Sequence, residues 1–207
     1  MEISVNRALS EIKTLDSRIE KATNAIKYID ISIGKKSVSG YNSNNEYESD
    51  VKSKFQSVKD LISRRNLIKS AIVNSNANTE VTIGSKKMTV AEAIERKNSI
   101  QYDIQLLNKL KRDYNNALAR FEKENERVKD RLDNLLETNF GREGKAKSEE
   151  IDAISKPFLE QNEAKLVDTI NIKKVIEQME YEIDEFLNNV DFALTEINTT
   201  TKINIPE

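Results

Sequence analysis

The chain contains no cysteine, no histidine and no tryptophan. Without Cys there is no disulfide frame, no thiolate nucleophile and no thiolate metal site. Without His, the commonest general base and zinc ligand are missing too, so composition argues against an enzyme, a metal or a resident cofactor. Proline occurs twice and glycine five times in 207 residues, which leaves few points where a helix is obliged to stop. No apolar run approaches the roughly 18 residues of a membrane span. The opening "MEISVNRALSEI" lacks the apolar centre of a signal peptide, so a cytoplasmic protein is expected. Charge of one sign is lacking as well. The net charge is −2, with 33 basic and 35 acidic residues, which exerts no general pull towards nucleic acid or anionic membrane.

What is present is charge of both signs (33%) beside 37% apolar residues. That balance suits narrow helical bundles, whose burial is confined to stripes. The glycines fall in three places, Gly34 and Gly40, Gly84, then Gly141 and Gly144, and so predict three connections between four helical segments. The first, about residues 4–28, carries Val5, Ala8, Ile12, Leu15, Ile19, Ala22 and Ile26 in alternating steps of three and four, a heptad seam. The second, about 50–73, carries Val51, Phe55, Val58, Ile62, Ile68 and Ile72. The third, about 89–138, is longer, and Lys111 and Asn125 interrupt its seam as polar residues of the register-fixing kind. The fourth ends in Ile176, Met179, Ile183, Phe186, Val190, Ala193 and Ile197. Its first half is expected to kink or split, because Pro157 removes a backbone donor and Asp168 reads as a fresh N-cap.

Between the second and third segments stands "SNANTEVTIGSKKMTVAEAIERK". Residues 81–83 and 86–88 predict a small hairpin about Gly84 and Ser85. Thr89 with Glu92 three positions on predicts a capping box. The end of the chain repeats part of this stretch. Asn76, Thr79, Val81 and Ile83 match Asn198, Thr201, Ile203 and Ile205 at identical spacing, and Ser4, Val5, Ala8 and Leu15 match Thr89, Val90, Ala93 and Ile100. The expected fold is therefore mainly α. Two duplicated antiparallel helical hairpins, residues 1–83 and 86–205, form a four-helix bundle within one composite domain. A small β clasp lies at one end, with residues 203–205 added beside the hairpin, and a coiled-coil arm protrudes over about 115–172.

The same central stretch, through Asn76, Thr79, Thr89, Ala93, Ile94, Arg96 and Lys97, resembles the middle of septicolysin-like small helical proteins of bacteria and their phages. The resemblance covers about half the chain loosely, and the long third and fourth helices depart from it. It implies an all-helical accessory protein, in the bacterial host cytoplasm if phage-encoded, and implies no activity.

Two function classes follow. One is a non-enzymatic helical interaction or structural protein working as a homo-oligomer. The other is a phage accessory protein of anti-defence type, sequestering a nucleotide-like or phosphorylated small molecule at a basic clasp. The candidate ligand residues are Arg64, Arg65, Lys69, Asn76, Thr79, Lys86, Lys87, Arg96, Asn198 and Thr201. Against the second class stand seven acids of the last helix, from Glu177 to Glu196, expected to neutralise those cations. Asn and Thr side chains also serve as caps more often than as ligand contacts. No phosphate-binding loop, nucleophile elbow or zinc pattern occurs.

Overall fold

The computed structural model describes residues 1–141 and 147–205; Gly144, expected near the tip of the arm, lies outside the described residues. The order is β1 (Glu2–Ser4), α1 (Val5–Asn24), α2 (Asn44–Asn78), β2 (Glu80–Ile83), β3 (Lys86–Thr89), α3 (Val90–Phe140), α4 (Ser148–Asn162), α5 (Ile172–Thr200) and β4 (Lys202–Asn204). The chain is thus mainly helical with short antiparallel strand pairs. It divides into two compact units, Met1–Asn98 with Glu185–Glu207, and Ser99–Asp184.

In the first unit the strands form two separate pairs. β2 and β3 make the expected hairpin, with Val81 opposite Met88 and Ile83 opposite Lys86. Gly84 takes φ +58° at its turn, a conformation that costs a side-chain-bearing residue about 1–2 kcal/mol. The last strand does not join this hairpin, contrary to expectation. β4 pairs instead with β1, Ile203 opposite Ile3 and Ser4 opposite Lys202. The reason is local. Three residues at the chain start, one of them apolar, are too short to show an alternation, so β1 leaves no periodic signal.

The two pairs repeat one arrangement. Val90 N–H donates to the Thr79 carbonyl at 2.9 Å, and Val5 N–H donates to the Thr201 carbonyl at 3.0 Å. Thr79 N–H closes on Ser75 and Thr201 N–H on Ile197, both at 2.8 Å. Ser4 stands opposite Lys202 as Thr89 stands opposite Glu80. Of these residues, Ser4 and Thr89, Val5 and Val90, and Thr79 and Thr201 are pairs matched in the sequence.

A core of Ile3, Val5, Ala8, Ile12, Leu15, Ile68, Ile72, Ile203 and Ile205 packs α1, α2, β1 and β4 together. The first-helix seam is buried through Leu15, then half-buried at Ile19 and Ala22; α1 ends at Asn24, short of the expected residue 28, so Ile26 lies beyond it. The second seam needs correction. Phe55 and Ile62 are exposed, whereas Leu61 packs against the core beside Ile68. Six residues separate Ile62 from Ile68 and seven separate Leu61 from it, so the heptad runs through Leu61. Phe55 stacks edge-on with Tyr28, ring centres 6.0 Å apart.

Helix starts follow their capping chemistry. Ser43 Oγ accepts from Glu46 N–H at 3.2 Å. Thr89 Oγ1 accepts from Glu92 N–H at 3.1 Å while Thr89 N–H donates to Glu92 Oε2 at 2.7 Å, the reciprocal box expected at α3. These donors, the Thr89 backbone first and its hydroxyl second, hold the Glu92 carboxyl below its ordinary range. A depressed carboxylate contributes stability above its unfolded pKa and loses it as pH falls through the folded value. Amide exchange at the start of α3 should therefore quicken, relative to the α3 interior, as pH drops below the ordinary glutamate range. Glu92→Ala should remove that pH dependence and leave the amides fast throughout.

In the second unit, Leu107 and Val128 are buried on α3, with Ile104, Tyr114, Leu118, Phe121, Leu132 and Leu135 half-buried at seam positions. The two polar interruptions have partners. Lys111 pairs with Glu180 of α5. Asn125 Oδ1 accepts from Ala164 N–H at 2.8 Å, and its Nδ2 donates to the Ala164 carbonyl at 3.3 Å. One carboxamide so ties the irregular connection 163–171 to the helix, satisfying both backbone groups of one residue. The expected fourth helix is split here into α4 and α5, giving five helices among the described residues instead of four. Pro157 does not make the break and lies inside α4. Asp168 does cap: its carboxylate accepts from Ile172 N–H at 2.9 Å and from Ile170 N–H at 3.2 Å. Asn171 precedes α5 with φ 56°, which Asn tolerates better than most residues.

Candidate functional site

The basic residues lie in the first unit, on α2, the β2–β3 hairpin and the start of α3, and several are held by acids. Arg64 Nε reaches Glu11 Oε1 at 3.2 Å, and Arg65 pairs with Asp16. Both acids belong to α1, not to the last helix as the sequence suggested. Lys87 pairs with Glu80 across the hairpin at 2.5 Å. Lys97 meets Asp191 of α5 at 2.5 Å, the contact that follows the expected neutralisation. The Arg96 guanidinium stands 5.9 Å from the centre of the Phe186 ring. Lys69 and Lys86 are exposed, on α2 and at the hairpin turn. The cations therefore spread along several elements, and paired surface charges of this kind give little net field and about 0–1 kcal/mol each.

The Asn and Thr residues have structural work. Thr79 and Thr201 end α2 and α5, and their carbonyls receive the first amides of α3 and α1. Thr79 Oγ1 also lies 3.4 Å from Ser75 Oγ. Asn76 and Asn198 are half-buried in the last turns of their helices.

One polar hollow adjoins this region. Its volume is about 320 Å³, and Asn74, Ser75, Asn78, Thr79, Lys202 and Asn204 line it with Ala71 and Ile203. Of the candidate residues only Thr79 lines it. Lys202 and Asn204 escaped the sequence reading because β4 was placed beside the wrong strand. The Lys202 ammonium lies 3.2 Å from Glu2 Oε2. Asn78 Nδ2 donates to the Asn74 carbonyl at 2.7 Å and lies 3.2 Å from Asn74 Oδ1. The hollow offers amide and hydroxyl groups with one partnered cation. It can bind a polar molecule, and it assembles no nucleophile with a base.

Elsewhere, Asp50 accepts from Lys54 at 2.7 Å and from the Tyr41 hydroxyl at 2.7 Å. Lys54 first and Tyr41 second hold its carboxyl below the usual range, and Asp50 in turn raises the Tyr41 phenol. This cluster secures the start of α2. Among the described residues, no group of three His, Cys, Asp or Glu side chains is placed to hold a metal ion. No helix there is long and apolar enough to cross a membrane.

No family model matches this chain, and neither the curated proteins nor the solved structures contain a significant match.

Proposed function

We propose that this chain is a non-enzymatic helical interaction protein, of the sort a phage or prophage encodes, and that it acts as an oligomer. The observation that carries the reading is the large apolar side chains its helices leave in water. Tyr102 and Leu106 of α3, Tyr181 and Phe192 of α5 and Val73 of α2 are all exposed, Phe192 by 81%. Helices that leave large apolar side chains in water have area that a partner can bury. The twice-used strand register supports the companion reading, that residues 1–83 and 86–205 are two copies of one hairpin design, each ending in a strand exchanged onto the other.

A second reading, a sequestering protein for a nucleotide-like or phosphorylated molecule, is favoured by the polar hollow beside Thr79 and Lys202. One pair of measurements separates the two. The oligomer reading expects a mass above 23.7 kDa by light scattering that added salt does not reduce, with no melting shift across a panel of nucleotides and phosphate esters. The sequestering reading expects a clear shift, since a ligand at a hundredfold excess over Kd stabilises by about 2.7 kcal/mol. It also expects Lys202→Ala, which removes the one cation lining the hollow, to weaken that shift. A salt-insensitive monomer that ignores the panel would refute both.

A further inference from the structure

Between α1 and α2 the chain holds three isoleucines out in solvent: Ile29 is 84% exposed, Ile31 73% and Ile33 71%. Residues 29–32 form neither helix, turn nor bend, and Ile33 then bridges to Lys36 around Gly34. Asp30 anchors the stretch, taking the Lys27 ammonium at 2.8 Å on one oxygen and the Ile31 N–H at 2.8 Å on the other. None of the strand pairs among the described residues includes residues 29–32. A run with β-branched residues at every second position and no ladder partner can accept another strand.

The sequence says which strand. Ile29-Asp30-Ile31-Ser32-Ile33 is apolar at every odd position and reads almost the same from either end. Laid antiparallel on a second copy about Ile31, it sets Ile31 against Ile31 and Ile29 against Ile33. Asp30 then meets Ser32, so no carboxylate faces another. All the isoleucines of both copies share one face, and the polar residues share the other. A slip of one residue would set Ile31 opposite Asp30 or Ser32 and send the two apolar rows to opposite faces. A two-fold contact must be self-complementary in this manner, residue i meeting j while j meets i, whereas an unrelated strand has no reason to find a symmetric one.

We infer that residues 29–33 pair antiparallel with the same segment of a second copy, in the register centred on Ile31. This names the partner within the oligomeric reading above and rests on it. Burying three exposed isoleucines from each copy supplies the apolar gain.

The absence of native cysteine allows a test in the full-length chain. Opposed residues in an antiparallel pair have Cα atoms about 4.5–5.5 Å apart, within disulfide range. Ile31→Cys should therefore crosslink to itself under mild oxidation, with most of the chain running as a covalent dimer. Ile29→Cys alone should stay largely unlinked, because its two copies stand roughly 13 Å apart along the strands. Ile29→Cys mixed with Ile33→Cys should crosslink as a heterodimer. If the parent is an oligomer by light scattering yet Ile31→Cys does not link, this inference falls and the oligomeric reading stands. Equal linking of Ile29→Cys and Ile31→Cys overturns the register and with it the inference. A parent that is monomeric at every concentration tested overturns both.

Discussion

Ile68→Ala should lower the unfolding free energy of the first unit by about 2–5 kcal/mol, the usual cost of removing most of a large core aliphatic. Ile68 is completely buried on α2 and belongs to the cluster that joins α1, α2, β1 and β4. Truncating it both forfeits apolar transfer and leaves a void, which neighbours drawn from four separate elements cannot jointly close. The contrast is Ile62, on the same helix and in the same apparent seam, yet exposed. Ile62→Ala should change stability by less than about 0.5 kcal/mol. Urea melts at unchanged m give both numbers from the midpoints. Small domains have only about 5–15 kcal/mol in hand, so the first substitution removes a large share. Similar losses for Ile62 and Ile68 would mean that α2 turns a different face to the core.

Those two residues also show how far the sequence could be read. A seam announces that a helix has an apolar face, and α3 was legible almost to its ends because its stripe, its capping box and the glycine after it agree. Polar residues within a seam announced themselves too, since Asn125 and Lys111 both find partners across from them. The second helix is different. Val51, Phe55, Val58 and Ile62 obey heptad spacing, but so does the line through Val58, Leu61, Ile68 and Ile72, and only the packing against α1 selects the second. A periodic pattern gives faces and never neighbours.

The candidate site suffered from that same gap. The cations can be named from the sequence, but which acids meet them depends on which helix lies alongside. Arg64 and Arg65 face Glu11 and Asp16 because α1 packs on α2, a pairing of adjacent elements that short connections favour. The split at 163–171 was half legible. Asp168 carried the signature of a helix start, whereas Pro157 suggested a stop that the chain does not make there.

The largest single effect should come from the end of the chain. Ending it at Thr201 removes β4 and with it Ile203 and Ile205, both buried in the first-unit core. Each full burial is worth about 1.5–3 kcal/mol, so the two together should cost roughly 3–6 kcal/mol, before the lost ladder with β1 is counted. The place of the damage matters as much as its size. Because β4 lies on β1 and shares a core with Val5, Ala8, Leu15 and Ile72, hydrogen exchange should accelerate first in β1 and the opening turns of α1. Val81 and Ile83 of the β2–β3 hairpin should keep more of their protection, since their partners are Met88 and Lys86. A tail added beside that hairpin would give the reverse order, exposing Val81 and Ile83 while sparing α1. Where the truncated chain is too unstable to compare, Ile203→Ala poses the same question more gently. It removes one side chain from the β1 face, keeps the backbone ladder, and should again loosen α1 before the hairpin.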